Sequence, residues 1–344
     1  MGALRKILAT ICAILFVITA VIALFLFNLD RRAFTAETYQ RAFARDDFYN
    51  KIPGLMAEAM TSSTAGQSQF PLMISGMSKE TWEAFFRALL PPETLKGLGD
   101  EALNSIFAYL NIQTDTAKLD LAPLKASMVS DRGVQAVFSL LSSQPDCTFI
   151  QIAQMTINLF SGDQPEFCNP PAELHPAFTP IIQGQLQLMS AMIPDQVTLI
   201  SAPPENDPRQ RLQTARLYMR LSPILPLTLL LGMTVFAVRS LKSWLRWWGI
   251  SFFITGSIAC VMSLFGIPVL RSIFQHILVR RMSNYLPTLF LDYVNDLATS
   301  MVQALLNPVL QQGLAITFVG LVMTVIYFII KRNEVNYHRH RRWL

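Results

Sequence analysis

Four runs of residues, 7–27, 221–238, 247–270 and 314–330, are strongly apolar and contain no Asp, Glu, Lys or Arg. Each approaches or exceeds the roughly 20 residues that carry an α-helix across a hydrocarbon core of about 30 Å. In lipid a backbone must satisfy its own hydrogen bonds, so such runs are predicted to be spanning helices. Composition points the same way, since 52% of the 344 residues are hydrophobic and only 15% charged, against about 25% charged in an ordinary soluble domain. The expected fold class is an all-α integral membrane protein: four transmembrane helices, with a large, mainly helical extracytoplasmic domain between the first and second.

The first run follows Arg5 and Lys6, as a secretory signal would. It is longer than the roughly 7–15 residues of a signal core and no small-x-small cleavage site follows it, so it reads as a retained signal anchor. Cys12 is preceded by Ile11, where a lipoprotein site needs a small residue.

Orientation follows from the basic residues. Arg5 and Lys6 lie in segment 1–6; Arg239, Lys242 and Arg246 fill the link 239–246; Lys331, Arg332, Arg339, Arg341 and Arg342 lie in the tail 331–344, against the single acid Glu334. Four spans place all three segments on one side, and the positive-inside rule makes that side the cytoplasm. Segments 28–220 and 271–313 are then expected outside, in a bacterial plasma membrane with both termini cytoplasmic. The chain contains no N-x-[ST] site, which is compatible with a bacterial source.

This topology separates the four cysteines. Cys12 and Cys260 fall in apolar runs, whereas Cys147 and Cys168 lie in the polar stretch PDCTFIQIAQMTINLFSGDQPEFCNP. An oxidising compartment favours a disulfide between the latter two. The loop it closes corresponds to roughly 3 kcal/mol by chain entropy; the alternative is two free thiols.

Within 28–220 the apolar residues recur mostly at three and four, as in KETWEAFFRALLPPETLKGLGDEALNSIFAYL, which predicts amphipathic helices. Ser78 is a candidate N-cap, and Pro91-Pro92 ends one helix and starts the next. TAKLDLAPLKA alternates briefly, at most a short strand. Further helices are expected over 133–141 and 149–159, and another through TPIIQGQLQLMSAMIPDQVTLI ending near Pro194. SAPPENDP is the clearest linker and TSSTAGQSQF the expected mobile loop.

After the linker, Arg209, Gln213, Arg216 and Arg220 recur at helical spacing. Their expected place is the outer lipid surface, anchoring the second span at the headgroups, with a specific lipid or acidic partner as the alternative. Arg339, Arg341 and Arg342 are expected to meet anionic inner-leaflet lipid. The loop 271–313 reads as amphipathic helix with breaks at Pro287 and Pro308, its apolar face packed on the large domain or along the membrane. In the third span Gly256, Ala259, Cys260 and Ser263 form a small-residue face suited to close helix packing.

Candidate chemistry is thin. Asp292 and Asp296 stand four apart on a helical pattern and form a weak divalent-cation candidate; a solvated face is the competing reading. His175 and His276 read as satisfied surface or core histidines. No phosphate loop, H-E-x-x-H zinc motif or G-x-S-x-G elbow occurs, so no catalytic residue, cofactor or nucleic-acid partner is expected. Ionisable residues inside spans mark ion or substrate paths, and these four runs carry none.

The order of one span, a large outer domain and three further spans resembles the permease subunits of the cell-division and macrolide-exporter class of ABC transporters, which implies a separate cytoplasmic ATPase. The motifs TAETYQRAFARDDFYNKIP, LDLAPLKA and the PDC to CNPP pair resemble a group of uncharacterised bacterial multi-pass proteins, Chloroflexi-type bacteria among them, which implies no particular activity. The expected function is non-enzymatic: the outer domain binds or scaffolds a protein partner in the envelope, as an accessory subunit of a membrane complex. The alternatives are the permease-like subunit and a lipid- or small-ligand-binding membrane protein. Membrane lipids are expected partners in each case.

Overall fold

A computed structural model describes residues 2–64, 77–152, 168–203, 207–282 and 288–340. Twelve α-helices and two strands are defined among them: α1 (Gly2–Ala33), α2 (Ala36–Arg45), α3 (Phe48–Thr64), α4 (Lys79–Leu89), α5 (Pro92–Leu110), β1 (Thr116–Asp120), α6 (Ala122–Val129), α7 (Asp131–Leu141), α8 (His175–Met192), β2 (Gln196–Ser201), α9 (Pro208–Leu221), α10 (Ile224–Ala237), α11 (Leu241–Met282) and α12 (Thr288–His340). The chain divides into two compact units. One comprises Met1–Thr38, Pro204–His276 and Ala298–Leu344; the other comprises Tyr39–Pro203 and Ile277–Leu297.

The first unit is a helical bundle. It carries four stretches long and apolar enough to cross a membrane, Arg5–Ala33, Pro208–Ala237, Leu241–Leu270 and, all but its first three residues, Asn295–Asn333. Its outward surface is apolar. On α1, Ile7, Ile11, Ile14, Ile18 and Ile22 are each 47–58% exposed, while Ala9, Phe16, Val21 and Ala23 are buried. On α10, Leu227, Leu231 and Val235 repeat the pattern at four-residue spacing. A helix that is apolar on both faces needs a non-aqueous neighbour on the outer one. Inside, Phe16 of α1 meets Leu230 and Met233 of α10, with Trp247, Trp248 and Phe252 of α11 packed beside them.

Between α11 and α12 the packing is closer still. A Cβ placed on Gly256 would lie 2.4 Å from Thr317 Oγ1 and 2.6 Å from the Gly313 carbonyl oxygen, and one on Gly320 would lie 2.3 Å from the Phe253 nitrogen. Glycine here lets two backbones touch, the arrangement on which helices in lipid depend because hydrophobic burial gives them little.

The four candidate stretches are longer than the apolar runs. α1 continues six residues past Phe27 to Ala33, and Pro308, expected as a break, lies inside α12. A proline removes one intrahelical hydrogen bond, and membrane bundles tolerate that where neighbouring groups re-satisfy the freed carbonyl. Pro287 and the expected mobile loop 61–70, after its first four residues, lie outside the described residues.

In the second unit, cores form between short amphipathic helices. Ala57 of α3 packs with Met77 and with Trp82 and Phe86 of α4, whose rings stack at 5.7 Å. Ser78 Oγ accepts the Thr81 N–H at the start of α4, and α5 opens with Pro92 in its first turn. A second cluster joins Val134 and Leu141 of α7 to Phe178, Ile182 and Leu186 of α8, with Cys168 among them. The helix expected over 149–159 starts at 149 and leaves the described residues after 152.

The unit is not wholly helical. β1 and β2 pair antiparallel, from Thr116 opposite Ser201 to Asp120 opposite Gln196, with an irregularity between Ala117 and Lys118. The helix expected to end near Pro194 stops at Met192, where Ile193 turns extended; the strand that follows it is the feature that helical periodicity did not indicate. Val197, Thr198 and Ile200 are β-branched and favour a pleated strand once Pro194 has broken the helix.

Candidate functional site

Cys147 and Cys168 are joined as a disulfide with a Cα–Cα distance of 4.9 Å. Backbone bonds fix the crosslink on both sides: the Cys147 N–H donates to the Asn169 carbonyl at 3.0 Å, and the Asn169 N–H to the Pro145 carbonyl at 2.9 Å. Asn169 Nδ2 also donates to Asp146 Oδ1 at 2.9 Å. The Cys168 sulfur is buried in the α7–α8 cluster, so the bond anchors the loop to a core rather than to solvent. His175 stacks on Phe138 with centroids 4.2 Å apart and lies 3.2 Å from the Pro170 carbonyl; it is a packed, hydrogen-bonded ring. Cys12 and Cys260 are free thiols.

Around this staple the second unit exposes large apolar groups. Phe149 and Ile150, just after the first cysteine, are 93% and 72% exposed. Leu188, Met189 and Met192 form an exposed end to α8 at one- to four-residue spacing, and every residue of β2 is exposed. Among the described residues β2 pairs only with β1, leaving its other edge open. An open strand edge is a template for another backbone.

The first unit contains an ion cluster that the apolar runs did not foreshadow. Asp30, on the extension of α1 past Phe27, is 4% exposed. Arg216 Nε donates to its Oδ1 at 2.9 Å and Arg220 Nε to its Oδ2 at 2.8 Å. The Arg216 guanidinium also lies over the Phe34 ring, 4.6 Å from its centroid. Asp30 is thus held by two cations from α9, and the three groups together carry a net charge of +1. Two residues earlier Asn28 and Gln312 exchange amide bonds of 2.8 and 3.3 Å, tying α1 to α12.

Arg209 and Arg216, expected at the lipid surface, are 4% and 6% exposed. Arg209 pairs with Asp207, which caps α9 by accepting the Arg209 N–H. Burial works to raise the Asp207 carboxyl, but the backbone and guanidinium bonds from Arg209 outweigh it and hold it below the usual carboxylate range. Carboxylates close in sequence or space therefore draw these two arginines inward. Arg220 keeps 57% of its side chain exposed while bonding Asp30. The signal available in sequence was Asp30 followed by Arg31-Arg32 at one helix end, and an arginine pair four apart at the start of the next long apolar helix.

The small-residue face lies against α12. Ala259 and Ser263 are 0% and 1% exposed, and a Cβ on Gly313 would sit 3.0 Å from Cys260 Sγ and 3.3 Å from Ala259 Cβ. The Cys260 thiol lies 3.9 Å from the Leu310 carbonyl. Asp296 is exposed on α12, while the side chain of Asp292 lies outside the described residues. Among the described residues no group of three or more His, Cys, Asp or Glu is placed to hold a metal ion. The Arg339 side chain, Arg341 and Arg342 also lie outside the described residues.

No family model, curated protein or solved structure matches the chain. What it does is read from its own geometry.

Proposed function

We propose that the chain is a multi-pass protein of a bacterial plasma membrane, with the link 239–246 and both basic ends on the cytoplasmic side. In this reading the disulfide-stapled unit lies outside and binds or scaffolds a protein partner in the envelope. The observation that carries it is the surface at the end of α8 and along β2. Leu188, Met189 and Met192 project apolar bulk from a unit that already has two cores of its own, and β2 offers an unpaired backbone edge. Stable water-facing surfaces rarely keep both. The disulfide fits the same reading, since such bonds persist in oxidising compartments.

The permease-like alternative has one observation in its favour. α11 runs unbroken through 42 residues and α12 through 53, well beyond the roughly 20 that a span uses, as a force-transmitting rod would.

Photocrosslinking from Met192 and Leu199 in native membranes, followed by mass spectrometry of the purified protein, separates the readings. The scaffold reading expects one protein captured from both positions, in stoichiometric amount, and lost on Met192→Glu. A stoichiometric cytoplasmic ATPase supports the permease instead. No adduct from either position contradicts the scaffold.

A further inference from the structure

Within the helical bundle, two cavities share a wall where α1 begins and α10 turns into α11. One, of about 480 Å³, is lined by four cations, Arg5, Lys6, Arg239 and Arg246. The other, of about 280 Å³, runs along the bundle between Ile14, Val17 and Ile18 of α1 and Ile250 and Ile254 of α11. Thr10, Arg246 and Trp247 border both.

Among the described residues the lining of the first cavity carries no countercharge. None of its lining residues is acidic, and no Asp or Glu occurs anywhere in residues 1–29 or 208–291. Among the described residues none of the four cations has an ion-pair partner, and all four are exposed. Four like charges around one space repel one another, and an anion brought from outside relieves that repulsion. The second cavity has the opposite character. Its walls are mostly apolar, and it opens on the exposed isoleucine face of α1, where Ile14 and Ile18 are 56% and 51% exposed. A soluble anion satisfies the first cavity and leaves the second unfilled. An amphiphile with an anionic head and a hydrocarbon chain fills both.

We propose that these cavities together form a binding site for an anionic phospholipid. Its phosphate lies among Arg5, Lys6, Arg239 and Arg246, and one acyl chain lies in the Ile14–Ile250 groove. Trp247 marks the level where head meets chain, the position its amphipathic ring prefers at a membrane surface. Basic pockets between spanning helices at the cytoplasmic face suit such headgroups. The inference rests on the membrane reading of the four helices and not on the envelope partner.

The test uses the full chain, purified in mild detergent and stripped of lipid, in native mass spectrometry with phosphatidylglycerol or phosphatidylcholine of identical chains. One phosphatidylglycerol is expected to bind at least tenfold more tightly than phosphatidylcholine. Arg239→Gln with Arg246→Gln should erase that preference. Ile250→Trp, which fills the groove, should weaken lipid binding without changing the effect of inorganic phosphate on thermal stability. Equal binding of the two lipids by the unaltered protein, which requires no variant to fold, overturns the proposal. So does a preference that survives the paired arginine substitutions. Displacement of the lipid by millimolar inorganic phosphate assigns the cationic cavity to a free anion and also overturns it.

Discussion

In the helical bundle, α11 and α12 meet through Gly256 and Gly320 with backbone atoms where side chains would otherwise stand, and the outer faces keep Ile, Leu and Val exposed. In the other unit, α3, α4, α7 and α8 meet through Trp82, Phe86, Phe178 and Leu186, and a disulfide ties a loop into one of the clusters. The contrast is the one that a difference of solvent, lipid around the first unit and water around the second, would produce. Where water surrounds a helix, large apolar side chains are driven between elements and supply the stability. Where lipid surrounds it, a leucine gains little by turning inward, so close contact and polar ties decide the packing. Asp30 with Arg216 and Arg220, and Asn28 with Gln312, are those ties.

The sharpest way to break the comparison is to remove a polar tie. Asp30→Ala leaves the buried Arg216 without its carboxylate and should destabilise the bundle by about 3–5 kcal/mol. Joint replacement by Asp30→Leu and Arg216→Met should recover much of that loss. Denaturant titration in mild detergent measures both, and the stapled unit should keep its own transition unchanged.

The converse experiment acts on the other unit. Cys147→Ser with Cys168→Ser should lower its stability by about 3 kcal/mol and leave the bundle as it was. Limited proteolysis near residues 145–170 reads the difference.

A smaller effect separates glycines that touch a neighbour from those that do not. Gly256→Ala forces a methyl group onto Thr317 and the Gly313 carbonyl, whereas Gly232 has nothing within 4 Å. The first should lose about 1–3 kcal/mol, and Gly232→Ala should be neutral or slightly stabilising. Thermal unfolding of the two single variants in one detergent makes the comparison.

The smallest effect is a pH dependence in the stapled unit. Burial, with the Asp100 carboxylate beside it, pushes the Tyr49 phenol up to about 12. An unfolded tyrosine ionises near 10, so the folded state favours the neutral phenol. The stabilisation is fully present below about pH 10 and is lost as pH rises toward 12. Tyr49→Phe should remove the part of the alkaline destabilisation that this group causes, as followed by circular dichroism between pH 9 and 12.

The long apolar runs were legible because 17 or more residues without a charge have few alternatives to a spanning helix, and the spacing of apolar residues marked the amphipathic helices around Trp82 and Phe107. Ser78 and Pro92 were legible because capping is local chemistry. β2 was not, because Gln196–Ser201 is six residues long and is a strand only through its pairing with Thr116–Asp120, some eighty residues away. The Asp30 cluster was missed for a related reason. Reading the first span as ending at the last apolar residue placed Asp30 in an outer loop, and only the partner arginines on α9 make its burial intelligible. The cationic cavity likewise draws on segments 1–10 and 236–247, each of which alone reads as an orientation signal.

The proposed difference in solvent between the two units is tested most directly by where each meets water. Gln113 is exposed between α5 and β1, and Asn333 is exposed at the end of the fourth apolar stretch. Gln113→Cys and Asn333→Cys, made singly, can be treated with a membrane-impermeant maleimide before and after the cells are opened. The expected result is labelling of Gln113→Cys in intact cells and of Asn333→Cys only once the membrane is breached. Equal labelling of both in intact cells, or of neither, would contradict the account, because the two positions would then share one side of the bilayer.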